Sequence, residues 1–329
     1  MTDDPRVDQP EEVHVRVRDL TKHFFQRRGL IRRSTRVVRA VTAVSLDIER
    51  NRILGVVGES GCGKTTLGRC ILRLIEPTSG EVYFDGVDIL RLPGGQLRQR
   101  RRDMQILFQN PYLSLDPRMS ILSNVGEPLR THTSLSHAQV RDRVAELLEQ
   151  VGLAVDFLYR YPHEFSGGQM QRIAIARALA LNPKFLVLDE PTAALDVSVQ
   201  AQIMALLAQL QRELELTYLF ISHNLTLVHY VSDAITVMYL GRVVEYGSAD
   251  EVFLDPLHPY TQALLSATPS LDPELRRQRT ILEGGVPDPA NPPSGCAFHP
   301  RCVKAQDQCS RLEPRLVDVS GGHLVACHI

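Results

Sequence analysis

The sequence feature that most constrains the fold is a glycine-rich octapeptide that stands between an apolar run and a helical pattern. Gly58-Glu59-Ser60-Gly61-Cys62-Gly63-Lys64-Thr65 fits the spacing G-x-x-x-x-G-K-[ST]. It follows Ile53–Val57, an apolar run of strand length, and opens a helix predicted over Lys64–Leu74. Strand, glycine-rich loop and helix in this order indicate a loop that wraps phosphate groups.

The chemistry of such a loop follows from its residue types. Glycines let successive backbone N–H groups turn inward around phosphate oxygens, and the helix N-terminus adds partial positive charge. Lys64 is expected to reach the β- and γ-phosphates, and the Thr65 hydroxyl to bind Mg²⁺. Cys62 is interpreted as incidental, although its alkylation should crowd the phosphates. The predicted nucleotide contacts are Gly58, Glu59, Ser60, Gly61, Cys62, Gly63, Lys64, Thr65 and Thr66.

A pair of carboxylates follows a second apolar run. Phe185–Leu188 is predicted to be a buried strand, and Asp189 and Glu190 come directly after it. An acid at the carboxyl end of such a strand holds Mg²⁺ in nucleotide-hydrolysing proteins that carry a phosphate loop. The second carboxylate can polarise the attacking water. Asp189 is therefore predicted as a magnesium ligand and Glu190 as the catalytic base.

A second glycine-rich helix start lies at Ser166-Gly167-Gly168-Gln169, before a helix predicted over Ile173–Leu181. The same physics makes it a second anion site. One nucleotide cannot easily use both loops of one chain if they sit on different subdomains. Two chains that each offer this loop to the other's γ-phosphate would resolve the problem. An ordinary helix cap remains the alternative.

Strand-like runs alternate with helical patterns along the chain, which predicts an α/β core with a mainly parallel sheet. The predicted strands are Val13–Val17, Val44–Ile48, Ile53–Val57, Glu81–Phe84, Phe185–Leu188, Thr217–Ile221, Ala234–Tyr239 and Arg242–Glu245. The predicted helices are Lys64–Leu74, Val140–Val151, Ile173–Leu181 and Ser198–Leu214. Together with the loop they predict a P-loop NTPase (RecA-like) fold.

The remaining segments set the predicted domain boundaries. Residues 1–12 read as a disordered lead, and the helical block over about 98–181 looks inserted into the core of residues 13–255. The arginine-rich segment over 27–39 is interpreted as a solvated loop or a membrane or partner contact. Residues 256–329 read as a proline-punctuated linker and a small cysteine-rich C-terminal extension.

Charge and hydropathy exclude several classes of protein. The chain has 37 Lys+Arg against 38 Asp+Glu, so its net charge of −1 argues against wrapping nucleic acid over the whole surface. No run approaches about 18 consecutive apolar residues, so no membrane span is predicted. The acidic N-terminus lacks the features of a secretory signal. A cytosolic chain is expected, in which clustered thiols bind metal more often than they form disulfides.

Taken in order, these motifs resemble the nucleotide-binding domain of ABC transporters over about residues 13–255. The resemblance adds roles for four further residues. Phe24, with Phe25 as its rival, matches the aromatic residue under adenine. Gln109 matches the Q-loop glutamine, which senses Mg²⁺ and leads to the transmembrane partner. Asp196 matches the D-loop at the dimer seam, and His223 matches the switch histidine that contacts the γ-phosphate.

Three further segments resemble the oligopeptide and dipeptide importers within that family: residues 110–118, residues 161–165 before the second glycine-rich loop, and residues 258–265. The resemblance implies an ATPase subunit, peripheral at the cytoplasmic face of the membrane. It implies a head-to-tail dimer with a second, identical or homologous ATPase. It also implies two transmembrane permeases and an extracytoplasmic substrate-binding protein, with no nucleic-acid partner. ATP and Mg²⁺ are the implied cofactors.

Four of the six cysteines crowd into the end of the chain: Cys296, Cys302, Cys309 and Cys327. Zinc favours closer C-x2–4-C pairs than these, whereas iron–sulfur clusters accept more varied spacings. The tail also resembles the C-terminal extension of peptide-importer ATPases, some of which carry a [4Fe–4S] cluster. An iron–sulfur cluster is predicted, with zinc or metal-free thiols as alternatives.

The sequence therefore predicts an ATPase that drives uptake of oligopeptides or dipeptides through partner permeases. Glu190, His223, Lys64 and Gln109 are its predicted catalytic residues. Two other functions compete with this one. A non-transport ABC ATPase would act on nucleic acid or the ribosome, but such proteins tend to have two cassettes or a long coiled-coil insertion. A metal or redox sensor would detect metal or redox state at the cysteine tail and respond by changing the ATPase activity.

Overall fold

The computed structural model describes residues 13–28, 34–193, 195–267, 282 and 284–328. Its strands are β1 (Val13–Arg28), β2 (Ser34–Glu49), β3 (Ile53–Val57), β4 (Ser79–Phe84), β5 (Val87–Asp88), β6 (Met104–Leu107), β7 (Phe185–Asp189), β8 (Thr217–Ser222), β9 (Ala234–Tyr239), β10 (Arg242–Ser248), β11 (Val317–Asp318) and β12 (Leu324–Val325). Its helices are α1 (Lys64–Ile71), α2 (Gly94–Arg100), α3 (Ile121–His132), α4 (His137–Gln150), α5 (Gly167–Leu179), α6 (Val197–Glu213), α7 (Leu225–Val231), α8 (Ala249–Leu254) and α9 (Pro259–Ala267). Within these ranges, no helix combines the length and the apolar character that a membrane span requires.

The chain divides into two compact units, and the first contains the described residues of 1–49, 53–91 and 221–329. One sheet of this unit is antiparallel, with the strand order β2-β1-β4-β5. A second set of strands has the order β11-β12-β10-β9-β3. In it β3 pairs with β9 in parallel, whereas β9, β10 and β12 pair antiparallel. The predicted α/β class is confirmed, with a mixed rather than a mainly parallel strand arrangement in this unit.

Strand β3 places the phosphate loop. All five of its residues are buried, as expected for a parallel strand that is covered on both faces. Its register with β9 sets Leu54 opposite Ala234 and Val57 opposite Val237. The loop therefore leaves the carboxyl end of a buried strand, where ligands bind in open α/β sheets.

The arginine-rich segment over 27–39 is not a loop in its described part. Strands β1 and β2 pair antiparallel from Val13 opposite Glu49 to Arg28 opposite Ser34. The prediction of a solvated loop is therefore wrong for the arginines at 27, 28, 36 and 39, because backbone pairing extends along both strands. Residues 32 and 33, like the predicted disordered lead 1–12, lie outside the described residues.

The second unit contains residues 50–52 and 92–220. Its strands follow the order β8-β7-β6, with Met104 opposite Phe185 and Leu107 opposite Leu188 in a parallel pair. Helices α3, α4 and α5 pack on one another. Strand β6 lies inside the segment of about 98–181 that was expected to be helical. Strand β6 has only four residues, which is too few to show the alternation of apolar and polar residues that predicts a strand. The arginine-rich helix α2 precedes it directly and obscures the pattern further.

Helix α4 shows how the sequence defines the helices of this unit. Ser136 caps it and forms a reciprocal capping box with Gln139. Val140, Val144 and Leu147 recur at helix spacing and are at most 2% exposed. The apolar stripe therefore faces the interior of the unit, as the sequence predicted.

The C-terminal residues do not form a separate module. The described residues after 255 belong to the same compact unit as the phosphate loop, and β12 pairs antiparallel with β10. Glu245 on β10 is fully buried, and it accepts hydrogen bonds from the backbone of Leu257 (2.7 Å) and His258 (3.1 Å) and contacts the His323 ring (2.8 Å). A buried carboxylate with these partners fixes the tail to the core.

Candidate functional site

The glycine-rich loop of residues 58–65 holds the Lys64 side chain. Lys64 is only 4% exposed, and its Nζ donates to the carbonyl oxygens of Gly58 (2.6 Å) and Glu59 (3.0 Å). The backbone carbonyl groups of the loop thus hold the Lys64 ammonium group beneath the loop. Helix α1 begins at Lys64, and no side chain caps its first turn. An uncapped first turn and a buried cation together form a site for a phosphate group.

Gly63 shows why this loop requires glycine. Its φ of 108° lies in the left-handed region, and a Cβ at this position would stand 2.0 Å from the carbonyl oxygen of Ala40. Ser60 and Gly61 are exposed, whereas Thr65 and Thr66 are half-buried at the start of α1. A side chain at position 63 would therefore displace the loop from β2.

The two cysteines near the loop are buried. Cys62 is 2% exposed, and burial raises the pKa of its thiol. Burial also raises the pKa of Cys70 to about 11. Since the thiolate is the reactive form, we expect alkylation of Cys62 to be slow in the folded chain.

The carboxylate pair lies in the second unit, at the end of β7. Asp189 is 2% exposed. Glu190 has a φ of 47°, which is a conformation that residues other than glycine seldom adopt. Its carboxylate accepts a hydrogen bond from the Gln109 amide, with Nε2 and Oε2 2.9 Å apart. Strained backbone of this kind clusters at functional sites, and here the strained residue contacts a second predicted catalytic residue, Gln109.

Ser166 begins α5 as an N-cap with a capping box. Its Oγ accepts from the backbone of Gln169 (3.4 Å), and the Gln169 side chain accepts from the Ser166 backbone (3.0 Å). Ser166 and Gly167 are exposed. A Cβ on Gly168 would approach Val199 on α6 to 2.5 Å, so only glycine fits there. The loop thus presents an exposed helix start, and its role toward a second chain stays a prediction.

Asp196 also serves as a helix cap. Its carboxylate accepts from the Val199 backbone (3.0 Å) and from the Ser198 hydroxyl (2.7 Å) at the start of α6. These hydrogen bonds lower the pKa of Asp196. The side chain is exposed, and it therefore stays ionised at the surface, where a second chain can reach it.

Two further predicted residues lie in the first unit with the phosphate loop. Phe24 on β1 is half-buried, and the Lys22 ammonium lies 5.0 Å from its ring centroid. Phe25, its rival, is 63% exposed. His223 is exposed, directly after β8 and before α7. The assignments of Phe24 to adenine and of His223 to the γ-phosphate stay predictions.

Sequence reasoning missed two residues that contact the loop, and both come from the C-terminal segment. The Tyr260 hydroxyl accepts a hydrogen bond from the backbone N–H of Glu59 at 2.7 Å. The two terminal guanidinium nitrogens of Arg301 donate to the Glu59 carboxylate, at 2.7 and 3.0 Å. The segment of residues 258–265, which includes Tyr260, entered the sequence analysis only through its resemblance to the peptide importers. Nothing in the sequence pairs Arg301 with a residue that precedes it by 242 positions.

His258 stands between the tail and β10. It is 1% exposed, and its Nδ1 accepts from the Tyr260 backbone at 3.0 Å. Burial lowers its pKa to about 4, against a weaker opposing effect from a hydrogen bond with the Ala326 backbone. The ring is therefore neutral at pH 7, and it takes up a proton on unfolding at any pH between about 4 and 6.5.

This difference makes His258 a source of acid sensitivity. Since the unfolded chain binds more protons than the folded chain in that window, the free energy of unfolding falls as the pH is lowered from 6.5 toward 4. The loss attributable to His258 is roughly 2 to 3 kcal/mol. Urea unfolding at pH 7 and pH 4.5 measures it against His258→Asn, whose side-chain oxygen can replace Nδ1 as acceptor. The wild type should lose more stability than the variant; equal losses would exclude this role.

The four tail cysteines approach one another without forming a metal site. The backbone N–H of Cys296 donates to the Cys309 carbonyl at 2.8 Å. Burial raises the pKa of Cys296, and the other three thiols add to the increase. Within the residues that the structure describes, no group of three or more His, Cys, Asp or Glu side chains is placed to hold a metal ion. The geometry therefore does not support the predicted [4Fe–4S] cluster or zinc site.

Profiles of two protein families match the chain. That of the ABC transporter family matches residues 41–193, and that of the oligopeptide/dipeptide transporter C-terminal region matches residues 244–309. The first match spans the phosphate loop and the carboxylate pair. The second begins in β10 and ends at Cys309, so it includes both Tyr260 and Arg301.

Curated relatives align over nearly the whole chain. The dipeptide transport ATP-binding protein DppF of Escherichia coli is 50% identical over 309 residues, 94% of this chain and 92% of that protein. The oligopeptide transport ATP-binding protein AppF of Bacillus subtilis is 47% identical over 322 residues, 97% of this chain and 98% of that protein. Among solved structures, the dimeric ATP-binding cassette MJ0796 with bound ADP and Pi aligns with a TM-score of 0.63 and 32% identity, over 71% of this chain and 98% of that one.

Proposed function

The chain belongs to the ABC transporter ATP-binding proteins, among their oligopeptide and dipeptide transport members, and on this basis we propose that it hydrolyses ATP to drive peptide uptake. The observation that carries the proposal is the alignment with peptide-transport ATPases over 94% of the chain or more. It extends through the C-terminal region that is specific to the oligopeptide and dipeptide group. The phosphate loop with its buried Lys64 supports the ATPase activity independently.

The predicted nucleotide-binding residues have complementary roles. Lys64 and the N–H groups of the loop neutralise and orient the phosphates, and Phe24 stacks on adenine. The Thr65 hydroxyl, Asp189 and Gln109 would hold Mg²⁺, which would supply positive charge beside the phosphates. These ligands are a hydroxyl, a carboxylate and an amide oxygen, and all three suit a hard cation.

Hydrolysis then depends on one proton acceptor. Glu190 accepts a proton from the attacking water and orients it toward the γ-phosphate. Its hydrogen bond with Gln109 at 2.9 Å holds the carboxylate in one orientation. His223 binds the γ-phosphate and stabilises the charge that develops on it.

The assembly follows from the exposed second loop. Two such chains, or this chain and a homologous ATPase, pair head-to-tail. Ser166–Gln169 of one chain then faces the nucleotide of the other, with Asp196 at the seam. The ATPase dimer closes when ATP binds, because ATP binds the closed dimer more tightly, and it opens after hydrolysis. These movements shift two partner permeases between states. The chain is peripheral at the cytoplasmic face of the membrane, and an extracytoplasmic protein delivers the peptide.

The function is tested by uptake together with co-purification. Cells that lack this chain should lose uptake of labelled di- and oligopeptides, and wild-type chain but not Glu190→Gln should restore it. Tagged chain purified in mild detergent should bring two permeases with it. Recovery of RNA or ribosomes without permeases would favour the non-transport alternative. ATPase activity that follows the redox potential and supports no uptake would favour the sensor.

An iron–sulfur cluster in the tail is a finer proposal that rests only on the number and spacing of its four thiols, since the described residues place no group of three or more His, Cys, Asp or Glu side chains to hold a metal ion. Protein purified without oxygen should contain about four iron and four sulfide per chain and absorb broadly in the blue. Cys309→Ser should lower the iron content, whereas Cys70→Ala, outside the tail, should leave it unchanged. Stoichiometric zinc, or no metal at all, would contradict the cluster.

A further inference from the structure

The C-terminal segment places a cation on the phosphate loop. Arg301 ends a 3₁₀ turn over His299–Arg301. Its two terminal nitrogens bind the two carboxylate oxygens of Glu59 at 2.7 and 3.0 Å, and the side chains are 6% and 26% exposed. A two-point pair of this kind fixes orientation as well as charge.

A second contact from the same segment holds the backbone of the same residue. The Tyr260 hydroxyl accepts from the Glu59 N–H at 2.7 Å, and Tyr260 is fully buried. Its ring packs against those of Tyr239 and Phe298, with centroids 4.8 and 5.4 Å away. Because these rings are buried, the hydroxyl has little freedom to leave the loop.

The charge of Glu59 gives these contacts a consequence for binding. Glu59 is the second residue of the loop, directly after Gly58, whose carbonyl oxygen accepts from Lys64. A carboxylate in a loop that receives phosphate repels the ligand unless a cation compensates it. Arg301 provides that cation from a largely buried position, where removal of one partner leaves the other charge uncompensated.

We propose that Arg301 and Tyr260 are positioning residues of the nucleotide site, through which the C-terminal segment sets the affinity of the phosphate loop for ATP. Arg301 cancels the charge of Glu59, and Tyr260 fixes its backbone. The tail is thus part of the ATP site rather than an appendage beside it. This inference rests on the proposed function, in which the loop binds ATP.

Equilibrium titration of the full chain with Mg·ATP tests the proposal by a double-mutant cycle. Arg301→Ala should weaken binding about fivefold, since it leaves one negative charge uncompensated in the loop. Adding Glu59→Gln to that variant should restore most of the affinity, because the net charge of the pair returns to zero. Glu59→Gln alone completes the cycle. Arg311→Ala, an exposed arginine of the same tail, is the matched control and should bind as the wild type does.

A merely structural role for Arg301 predicts a different pattern. Arg301→Ala would then lower the thermal unfolding temperature, and adding Glu59→Gln to it would not recover the affinity for Mg·ATP. That result would overturn the proposal. Wild-type affinity in Arg301→Ala would overturn it as well. If Arg301→Ala fails to fold, Arg301→Lys keeps the charge without the two-point geometry and should retain most of the affinity, whereas Arg301→Gln should not. A wild-type chain that binds no Mg·ATP would refute the proposed function itself.

Discussion

Replacement of Glu190 by glutamine is expected to lower the rate of ATP hydrolysis by about 10²- to 10³-fold and to leave the affinity for Mg·ATP within about twofold. Glutamine has the same shape, so it can occupy the left-handed backbone position of Glu190 (φ 47°) as well as glutamate does. It cannot accept a proton from the attacking water. The binding residues Lys64 and Thr65 are unchanged, and for this reason binding and hydrolysis should separate.

Phosphate release under steady-state conditions and an equilibrium titration with Mg·ATP measure these two quantities on the same preparation. Glu146→Gln is a suitable control, since Glu146 is an exposed carboxylate on α4 that pairs with Arg143. It should hydrolyse ATP as the wild type does. Unimpaired turnover in Glu190→Gln would remove Glu190 from the role of base. A parallel loss of binding would point to misplacement of the loop after β7.

The parts of the site that could be predicted from the sequence are those encoded locally. Strand β3, the glycine-rich loop and the start of α1 are contiguous, and the structure has them at Ile53–Val57 and from Lys64 onward. The run before Asp189 forms a fully buried strand. In both places apolar periodicity, turn residues and charge act within about ten residues, so local pattern determines local structure.

What the sequence did not predict depends on pairing between distant segments. The arginines of β1 and β2 read as a loop because neither strand shows that the other will pair with it. Strand β6 is identified by its parallel pairing with β7, which the local sequence does not indicate. The contact of Arg301 with Glu59 is of the same kind, because a salt bridge across 242 residues leaves no local trace.

Ser166 and Asp196 mark a different limit, that of assigning chemistry from residue type. In the structure each of them caps a helix by accepting a backbone hydrogen bond. Capping is a common structural role of Ser and Asp at helix starts. A cap and a contact with a second chain do not exclude each other, since both side chains are exposed. Their assignment to the dimer therefore depends on the family to which the chain belongs.

Replacement of Lys64 by alanine is expected to weaken Mg·ATP binding by about 100-fold or more and to abolish measurable hydrolysis. Lys64 is 4% exposed, and its ammonium group donates to the carbonyl oxygens of Gly58 and Glu59 in the loop itself. A phosphate oxygen is a stronger partner for it than a neutral carbonyl, because both groups are charged. Loss of the ammonium removes this attraction and also the hydrogen bonds that shape the loop.

The choice of variants separates the two effects of that loss. Lys64→Met fills the space of the side chain without its charge. If the charge contributes most of the binding free energy, this variant should bind ATP as poorly as Lys64→Ala. Lys304→Ala removes an exposed lysine of the tail and should leave titration and turnover unchanged. Since Lys64 and the Arg301–Glu59 pair meet at the same loop, Lys64→Ala should also reduce the effect of Arg301→Ala on ATP affinity. Independent, additive losses in the combined variant would show that the tail acts on ATP binding by a route other than this loop.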